Sequence, residues 1–328
     1  MVEVPGVNQS ADRLEPILIA GPTAVGKSDV AMRLAAEFNG EIITVDSMQV
    51  YKGLDIGTAK PSIADRERVP HHLVDIRNLS QGFDAAQFVD EAIKAVREIS
   101  QRGRLPILCG GTGLYFNAYL YGLGTAPKAD PTLRAQLEAM PLEDLLTELE
   151  QGDPVAYQSI DRNNRRRVVR AVEVLRLTGQ PLSARQADWQ QNPAASHSRA
   201  HFFALSRSLE DVRRRIDVRV DGMFRRGLVE ETRRLLEQGF SENRTAMQAL
   251  GYRQVIEFLQ GLRSLPETIE LVKVRTRQFA KRQMTWFRRQ AEPRWIRIES
   301  GTSVESLAAQ IASDAGLRLP HGRFKSGS

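Results

Sequence analysis

Gly21-Pro22-Thr23-Ala24-Val25-Gly26-Lys27-Ser28 fits the pattern G-x-x-x-x-G-K-[ST], and its residue types suit the holding of phosphate. Gly21 and Gly26 give a tight turn its backbone freedom, so that successive N–H groups face one anion at a helix N-terminus. Lys27 adds a point positive charge, and the Ser28 hydroxyl can reach a magnesium ion carried by the phosphates. The apolar run Ile17-Leu18-Ile19-Ala20 leads in and the helix-like run Asp29–Phe38 leads out, the strand–turn–helix setting such a loop requires. A chance match in a chain of 328 residues has a probability on the order of one in a hundred, and the setting lowers it further. The loop grips a di- or triphosphate; which one depends on its neighbours.

Two further motifs end apolar runs. Ile42-Ile43-Thr44-Val45-Asp46-Ser47-Met48-Gln49-Val50-Tyr51 closes such a run on an aspartate. A magnesium-binding acid on a later strand would look similar, but Asp46 follows Lys27 by one helix and one strand. On that second strand, small-molecule kinases with this loop place acceptor-binding residues. Asp46 is therefore cast as a general base beside an acceptor, with a solvated turn aspartate as the plainer alternative. Cys109-Gly110-Gly111-Thr112-Gly113-Leu114-Tyr115 follows another apolar run. Its glycines allow close approach, and the Thr112 hydroxyl can cap the next helix or donate to a departing diphosphate oxygen. Asp55–Pro61 is a polar, glycine-bearing loop, and His71-His72 stand in extended context with side chains on opposite faces. Without a histidine or cysteine cluster, no bound transition metal is expected.

Two basic segments suit a polyanion. Arg162-Asn163-Asn164-Arg165-Arg166-Arg167-Val168-Val169-Arg170 opens a predicted helix that puts Arg166 and Arg170 on one face, a natural contact for a phosphate backbone. Gln248-Ala249-Leu250-Gly251-Tyr252-Arg253 is short, polar and aromatic. There Gly251 permits close approach and Tyr252 is able to stack on a base, although an ordinary turn between helices fits as well. The net charge of +6 conceals an imbalance. Residues 1–150 hold 14 Lys and Arg against 21 Asp and Glu, whereas residues 151–328 hold 32 against 19. A basic second half, mostly arginine, points to nucleic acid as a partner; solvated helix faces are the plainer account. No run is long and apolar enough to span a membrane, and the N-terminus has no secretory pattern. The single cysteine, Cys109, rules out an internal disulfide and suits a reducing cytosol. The expectation is a cytoplasmic monomer with Cys109 an inert strand residue.

These residues need a frame. Pro16–Ala20, Glu41–Val45, His72–Asp75 and Leu105–Cys109 are strand candidates, with helical patterns over Asp29–Phe38 and Ala85–Gln101 between them. Such alternation predicts an α/β core, a P-loop NTPase-like parallel sheet with helices on both faces, whose ligands gather at the strand carboxyl ends. From Pro127 to Ser198 prolines punctuate shorter helical runs, Leu133–Met140, Leu142–Gln151 and Arg165–Leu177. This stretch reads as a helical insertion domain, 127–198, within a core of 14–126 and 199–316. The core resumes with a strand at His201–Leu205 and an amphipathic pattern over Asp211–Gly239, with Val212, Ile216, Val220 and Met223 on one stripe and a break at Gly227. A helix over Pro266–Gln290 is predicted to carry Ile269, Val272, Phe279 and Phe287 inward and Lys273, Arg277, Lys281 and Arg288 outward. A strand at Trp295–Ile298 and a helix at Val304–Ala315 close the core, and residues 1–13 and 317–328 read as disordered tails.

Taken together, the motifs resemble the tRNA dimethylallyltransferases, the isopentenyl-tRNA transferase family. The resemblance rests on GPTAVGKS (21–28), VDSMQVYKGLDIGTAKP (45–61), PHHLVDI (70–76), GGTGLY (110–115), RRRVVRAVEV (165–174), ALGYRQ (249–254) and TRQFAKRQMTWFR (276–288). It implies transfer of a dimethylallyl group from its diphosphate to N6 of adenosine 37, just 3′ of the anticodon, in tRNAs reading codons that begin with U. The adenosine is flipped into a channel through the core, and the donor enters from the other end. By the same resemblance Asp46 takes the N6 proton and Thr112 lies near the bridging oxygen of the leaving diphosphate. Thr23 to Ser28 bind that diphosphate with Mg2+, helped by an arginine of the 211–226 stretch, for which Arg219 is the choice. Asp46, Ser47, Met48, Gln49, Thr112, Arg134, Arg166, Arg167, Val168, Val169, Arg170, Gln248, Ala249, Leu250, Gly251, Tyr252 and Arg253 contact the tRNA. A P-loop small-molecule kinase or an adenylate isopentenyltransferase would share the loop and Asp46 but has no use for the basic segments. An RNA-binding NTPase would need an acid ending a later strand, and Leu105–Cys109 ends without one.

If the arginines meet phosphates, RNA affinity should fall steeply and linearly on a log–log plot as salt rises from about 50 to 200 mM. A flat response in the same titration would return them to solvated helix faces.

Overall fold

Short apolar runs without alternation predict strands buried on both faces; such runs form the centre of one six-stranded sheet, whose edges are a His-His pair and the largely exposed Arg-Trp-Ile-Arg. The computed structural model describes residues 15–124, 126–185, 201–243 and 245–317. Its strands are β1 (Ile17–Ala20), β2 (Gly40–Val45), β3 (His71–His72), β4 (Leu105–Gly110), β5 (Phe202–Ser206) and β6 (Arg294–Arg297). They lie in the order β3-β2-β4-β1-β5-β6 with every pairing parallel. The register sets the site: Gly110 stands opposite Ala20 on one side and Val45 on the other. Gly21, Asp46 and Gly111, the residues that follow, therefore leave the sheet side by side.

Among the described residues the helices are α1 (Lys27–Glu37), α2 (Ile63–Arg68), α3 (Ala85–Gln101), α4 (Gly113–Tyr121), α5 (Pro131–Ala139), α6 (Leu142–Gly152), α7 (Pro154–Ser159), α8 (Arg165–Thr178), α9 (Leu209–Arg225), α10 (Leu228–Glu237), α11 (Tyr252–Leu259), α12 (Leu265–Gln290) and α13 (Val304–Asp314). The chain divides into two compact units, Met1–Leu120 with Ser196–Ser328, and Tyr121–Ala195. In the first, one sheet face packs Ile17, Ile19, Ile107 and Phe203 against Val30 and Leu34 of α1 and Leu307 and Ile311 of α13. An aromatic cluster forms elsewhere in that unit. Phe88 stacks on Tyr115 with ring centroids 4.5 Å apart, and Phe116 stacks on Phe202 at 5.4 Å. In the second unit α5 to α8 close on Leu137, Leu145, Leu149, Val168, Val169 and Val172.

Several sequence expectations change in detail. The strand expected over His72–Asp75 is only His71–His72, because Leu73 and Asp75 take left-handed φ of 61° and 57°. Lys60 and Arg66 each hold the Asp75 carboxylate at 2.6 Å, which turns the chain away from the sheet. The break expected at Gly227 is real: its φ of 94° separates α9 from α10. Val212, Ile216, Val220 and Met223 are buried as the stripe predicts. On α12 the buried positions are Thr268, Val272, Thr276, Ala280, Gln283 and Phe287, so polar and small residues replace the expected Ile269 and Phe279, which are half-buried. Lys273 and Arg277, expected to face solvent, reach Asp221 and Asp217 of α9. The short α2 and α7 were not foreseen; α2 buries no residue and rests on a Ser62–Asp65 capping box. The expected tails lie outside the described residues apart from Leu317.

Gly110 marks the tightest point of the sheet, since a Cβ there would lie 2.0 Å from the Val45 carbonyl oxygen. Gly110→Ala should cost about 1–3 kcal/mol, read as a lower urea midpoint at unchanged m-value. An unchanged midpoint would show that the two strand ends part freely.

Candidate active site

The loop after β1 adopts the conformation its glycines predict. Gly21 has φ 143° and Gly26 φ 106°, the latter at the N-cap of α1. A Cβ on Gly21 would meet the Leu205 carbonyl oxygen at 2.7 Å. Ala24 also sits at positive φ, 63°, a conformation an alanine adopts only when its surroundings impose it. Those surroundings are cationic. Arg215 Nε donates to the Ala24 carbonyl at 2.8 Å, Arg207 Nε to the Val25 carbonyl at 2.8 Å, and Arg219 Nη1 to the Thr23 hydroxyl at 3.1 Å.

Arg219 therefore stands at the loop as expected, and Arg215, one turn earlier on α9, joins it. Sequence reasoning missed Arg207; its one signal is its place just past the carboxyl end of β5. Lys27 folds back so that Nζ donates to the Pro22 carbonyl at 2.7 Å. Burial lowers its pKa from 10.5 to about 8, and the Arg219 charge pushes the same way against the pull of Cys109 and Asp46. Arg219 is lowered too, by burial first and then by Arg215. Cys109 is buried, with its thiol pushed up to about 11 by that burial. Arg207 pairs with Asp211 at 2.9 Å. Asp46 and Asp29 act on Lys27 and Arg219 only through space: among the described residues Lys27, Arg215 and Arg219 have no carboxylate within ion-pair distance. Desolvated positive charge without a counter-charge is the electrostatic form of an anion site.

Asp46 leaves the end of β2, two strands from the loop. The Met48 and Gln49 N–H groups donate to its Oδ1 at 2.8 and 3.3 Å, which leaves Oδ2 to receive a proton. Burial raises its pKa above 3.8, against those two hydrogen bonds and the charges of Lys27 and Lys60. Thr112, at the start of α4, is tied to the same strand end, its N–H donating to the Val45 carbonyl at 3.3 Å. Gln283 of α12 joins the loops: its Oε1 accepts from the Thr23 N–H at 2.8 Å and its Nε2 donates to the Gly111 carbonyl at 2.9 Å. The structure thus gathers Thr23, Asp46 and Thr112 at three neighbouring strand ends. Sequence spacing gave no sign of Gln283.

The segment after Asp46 is braced from α10 and α11. Gln49 Nε2 donates to the Thr58 and Ala59 carbonyls at 3.0 and 3.3 Å. The buried Glu231 carboxylate accepts from the Ile56 and Gly57 N–H groups and from the Tyr252 hydroxyl, the last at 2.6 Å. This corrects the expectation that Tyr252 stacks on a base: its ring is 0% exposed and packs edge-on to Phe240 at 5.5 Å. Burial and Glu231 raise the pKa of its hydroxyl. Gly251, at φ 92°, is the N-cap of α11, so the turn read from the sequence ends one residue before a helix. Ala249 is buried beside it, while Gln248 and Arg253 are exposed.

In the second unit Arg166 and Arg167 are exposed, whereas Val168 and Val169 turn their side chains into the core. Arg134 and Arg170 share the buried Glu173 carboxylate, with Arg170 at 2.6 Å and Arg134 at 2.5 Å. Arg165 is used internally, donating to the Glu138 carbonyl at 2.8 Å at the end of α5, so the arginine run is not all available to a partner.

Among the described residues no three His, Cys, Asp or Glu side chains gather into a metal cage. The loop does offer the exposed Ser28 hydroxyl in the first turn of α1. One hydroxyl with substrate oxygens and water suits a metal that arrives with a diphosphate, so these residues fit one.

Lys27 is charged below its pKa and neutral above it. Affinity for inorganic pyrophosphate should therefore fall as pH rises through about 8, by up to roughly tenfold per pH unit. Calorimetric titration measures this, and Lys27→Arg, charged throughout, should flatten the profile. A wild-type profile as flat as that of the variant would place Lys27 away from the anion.

Comparison with known proteins points one way. The family model described as IPP transferase matches residues 49–290. The tRNA dimethylallyltransferase of Pelotomaculum thermopropionicum is 43% identical over 309 residues, covering 92% of this chain and 97% of that protein. The enzyme of the same name from Geobacter sulfurreducens is 44% identical over 314 residues, 93% of this chain and 99% of its own. Among solved structures, the full-length tRNA isopentenylpyrophosphate transferase of Bacillus halodurans is 37% identical with a TM-score of 0.65, over 92% of this chain and 97% of that one. A eukaryotic dimethylallyltransferase acting on tRNA is 28% identical with a TM-score of 0.76, over 94% and 82%. With a family model spanning most of its length and relatives matched nearly end to end, the chain belongs to the IPP transferase family.

Proposed function

We propose that the chain transfers a dimethylallyl group from dimethylallyl diphosphate to N6 of the adenosine just 3′ of the anticodon, in tRNAs reading codons that begin with U. The observation that carries this reading is the meeting of a cationic loop with a raised-pKa carboxylate and Thr112 at three adjacent strand ends. The exocyclic amine is a weak nucleophile, so the reaction needs orientation, proton removal and stabilisation of the leaving charge. As N6 forms its bond to C1 of the donor, the C1–O bond breaks, diphosphate departs, and the N6 proton passes to Asp46 Oδ2. Thr112 donates to the bridging oxygen of the diphosphate. The backbone of residues 21–28, with Lys27 and Arg219, holds its charge, and Ser28 would help hold a Mg2+ ion, which would supply further neutralisation of phosphate charge.

In the same reading the helical insertion, 127–198, and the 248–253 turn hold the RNA. Arg166 and Arg167 contribute exposed guanidinium groups, Arg253 contributes one that pairs with Glu257 at 3.5 Å, Arg134 and Arg170 are preset by Glu173, and Ser47, Met48 and Gln49 line the flipped base. Val168, Val169, Ala249 and Tyr252, buried as they are, serve by shaping the surfaces that carry those contacts. No helix among the described residues is long and apolar enough to cross a membrane, and the chain works as a cytoplasmic monomer.

The test mixes the protein with an anticodon stem-loop, dimethylallyl diphosphate and magnesium, and reads RNA mass. The stem-loop should gain one dimethylallyl group; prenylation of free AMP or hydrolysis of ATP instead would overturn the reading. Asp46→Asn should lower transfer by about 10²–10⁴-fold with donor affinity within roughly twofold, and equal loss of both would assign Asp46 to the donor.

A further inference from the structure

Gln283 occupies a position that no motif arithmetic explains. It lies on α12, 9% exposed, and both of its hydrogen bonds run to backbone atoms far away in sequence, 260 residues to Thr23 and 172 to Gly111. Its orientation is dictated by its partners: the Thr23 N–H can only donate and the Gly111 carbonyl can only accept. Among the standard side chains, a primary amide of this length meets both demands. Asparagine is one methylene shorter, and glutamate offers two acceptors to a site that needs a donor.

The bond to Gly111 acts on Thr112 directly. The Gly111 carbonyl and the Thr112 N–H belong to one peptide plane. Gln283 holds the carbonyl side at 2.9 Å, and the Val45 carbonyl holds the N–H side at 3.3 Å. A plane fixed at both edges fixes the N–Cα bond from which the Thr112 side chain departs. Gly111 is part of the device, because a Cβ there would lie 2.3 Å from Gln283 Nε2. One turn further along α12, Trp286 covers Gly113 so closely that a Cβ would sit 2.0 Å from its ring. The same helix is anchored to α9 by Lys273–Asp221 at 2.9 Å and Arg277–Asp217 at 2.5 Å, and α9 supplies Arg215 and Arg219 to the phosphate loop.

We infer that Gln283 is a positioning residue that sets the distance and angle between the diphosphate loop and the Thr112 hydroxyl. It touches neither substrate. It makes one rigid unit of the element that holds the leaving group and the element that donates to it. The inference rests on Thr112 serving the leaving diphosphate.

A double-mutant cycle on the full-length protein tests it, with rates corrected for folded protein by donor titration. Thr112→Ala in the wild-type background should lower kcat by on the order of 10- to 10²-fold. Gln283→Leu should lower kcat by a similar factor with KM for the stem-loop within about twofold, and in its background Thr112→Ala should cost less than about threefold. Gln283→Glu keeps the acceptor for Thr23 and loses the donor to Gly111; it should behave in the cycle as the leucine variant does, and it carries the test if the leucine variant does not fold. An equal Thr112→Ala penalty in all backgrounds would reduce Gln283 to a packing residue and overturn the inference. A Thr112→Ala variant with full kcat in the wild-type background would overturn the role of Thr112 itself, and the inference with it.

Discussion

The site depends on the close approach of two strands at Gly110. Parallel strands put their carboxyl ends on one edge, but that alone scatters groups along the whole edge. Here β4 runs between β1 and β2, with Gly110 aligned to both Ala20 and Val45. Without a side chain at Gly110 the three ends can lie as close as backbone allows. The phosphate loop, the carboxylate of Asp46 and the hydroxyl of Thr112 are consequences of that alignment, because each follows its strand end by one or two residues. A wider spacing at Gly110 would separate the Asp46 carboxylate from Thr112.

Electrostatics divides the edge into two halves. On the β1 and β5 side, Lys27 and Arg219, with Arg215 beside them, concentrate positive charge, and burial makes that of Lys27 and Arg219 costly until an anion arrives. On the β2 side a carboxylate is made a better proton acceptor by the same burial. These opposite demands coexist because Gln283 and the Val45 carbonyl, both neutral, form the boundary between them. Neutral hydrogen bonds hold the geometry without adding to either charge.

Much of this frame was legible in the chain. Pro16–Ala20, Glu41–Val45 and Leu105–Cys109 are short, mainly apolar runs, and such runs have few other uses than buried strands. The phosphate loop carries its function in its glycines, so Gly21 and Gly26 were readable without any tertiary information. Asp46 was placed by counting elements, which works because crossovers in parallel sheets are regular. Reading failed where long-range partners decide. His71–His72 ends early because Lys60 and Arg66 draw Asp75 aside, an interaction with no local trace. Tyr252 looked like an exposed aromatic because its neighbours are polar, yet Glu231 and Gly57 pull it inside. Gln283 lies in a basic helical stretch where a glutamine reads as surface, and only its distant backbone partners give it meaning.

The buried Glu231 has a consequence of its own. Ile56 and Gly57 present adjacent backbone N–H groups in a turn, an arrangement that elsewhere cups a phosphate. In this chain the cup is filled from within, by a carboxylate that shares it with the Tyr252 hydroxyl. The turn at Ile56 and Gly57 and the loop beside Lys27 are thus backbone cradles of unlike fate, the one plugged by the molecule's own acid and the other with no carboxylate seated in it. For a protein that meets a polyanion, a plugged cradle is a decoy removed.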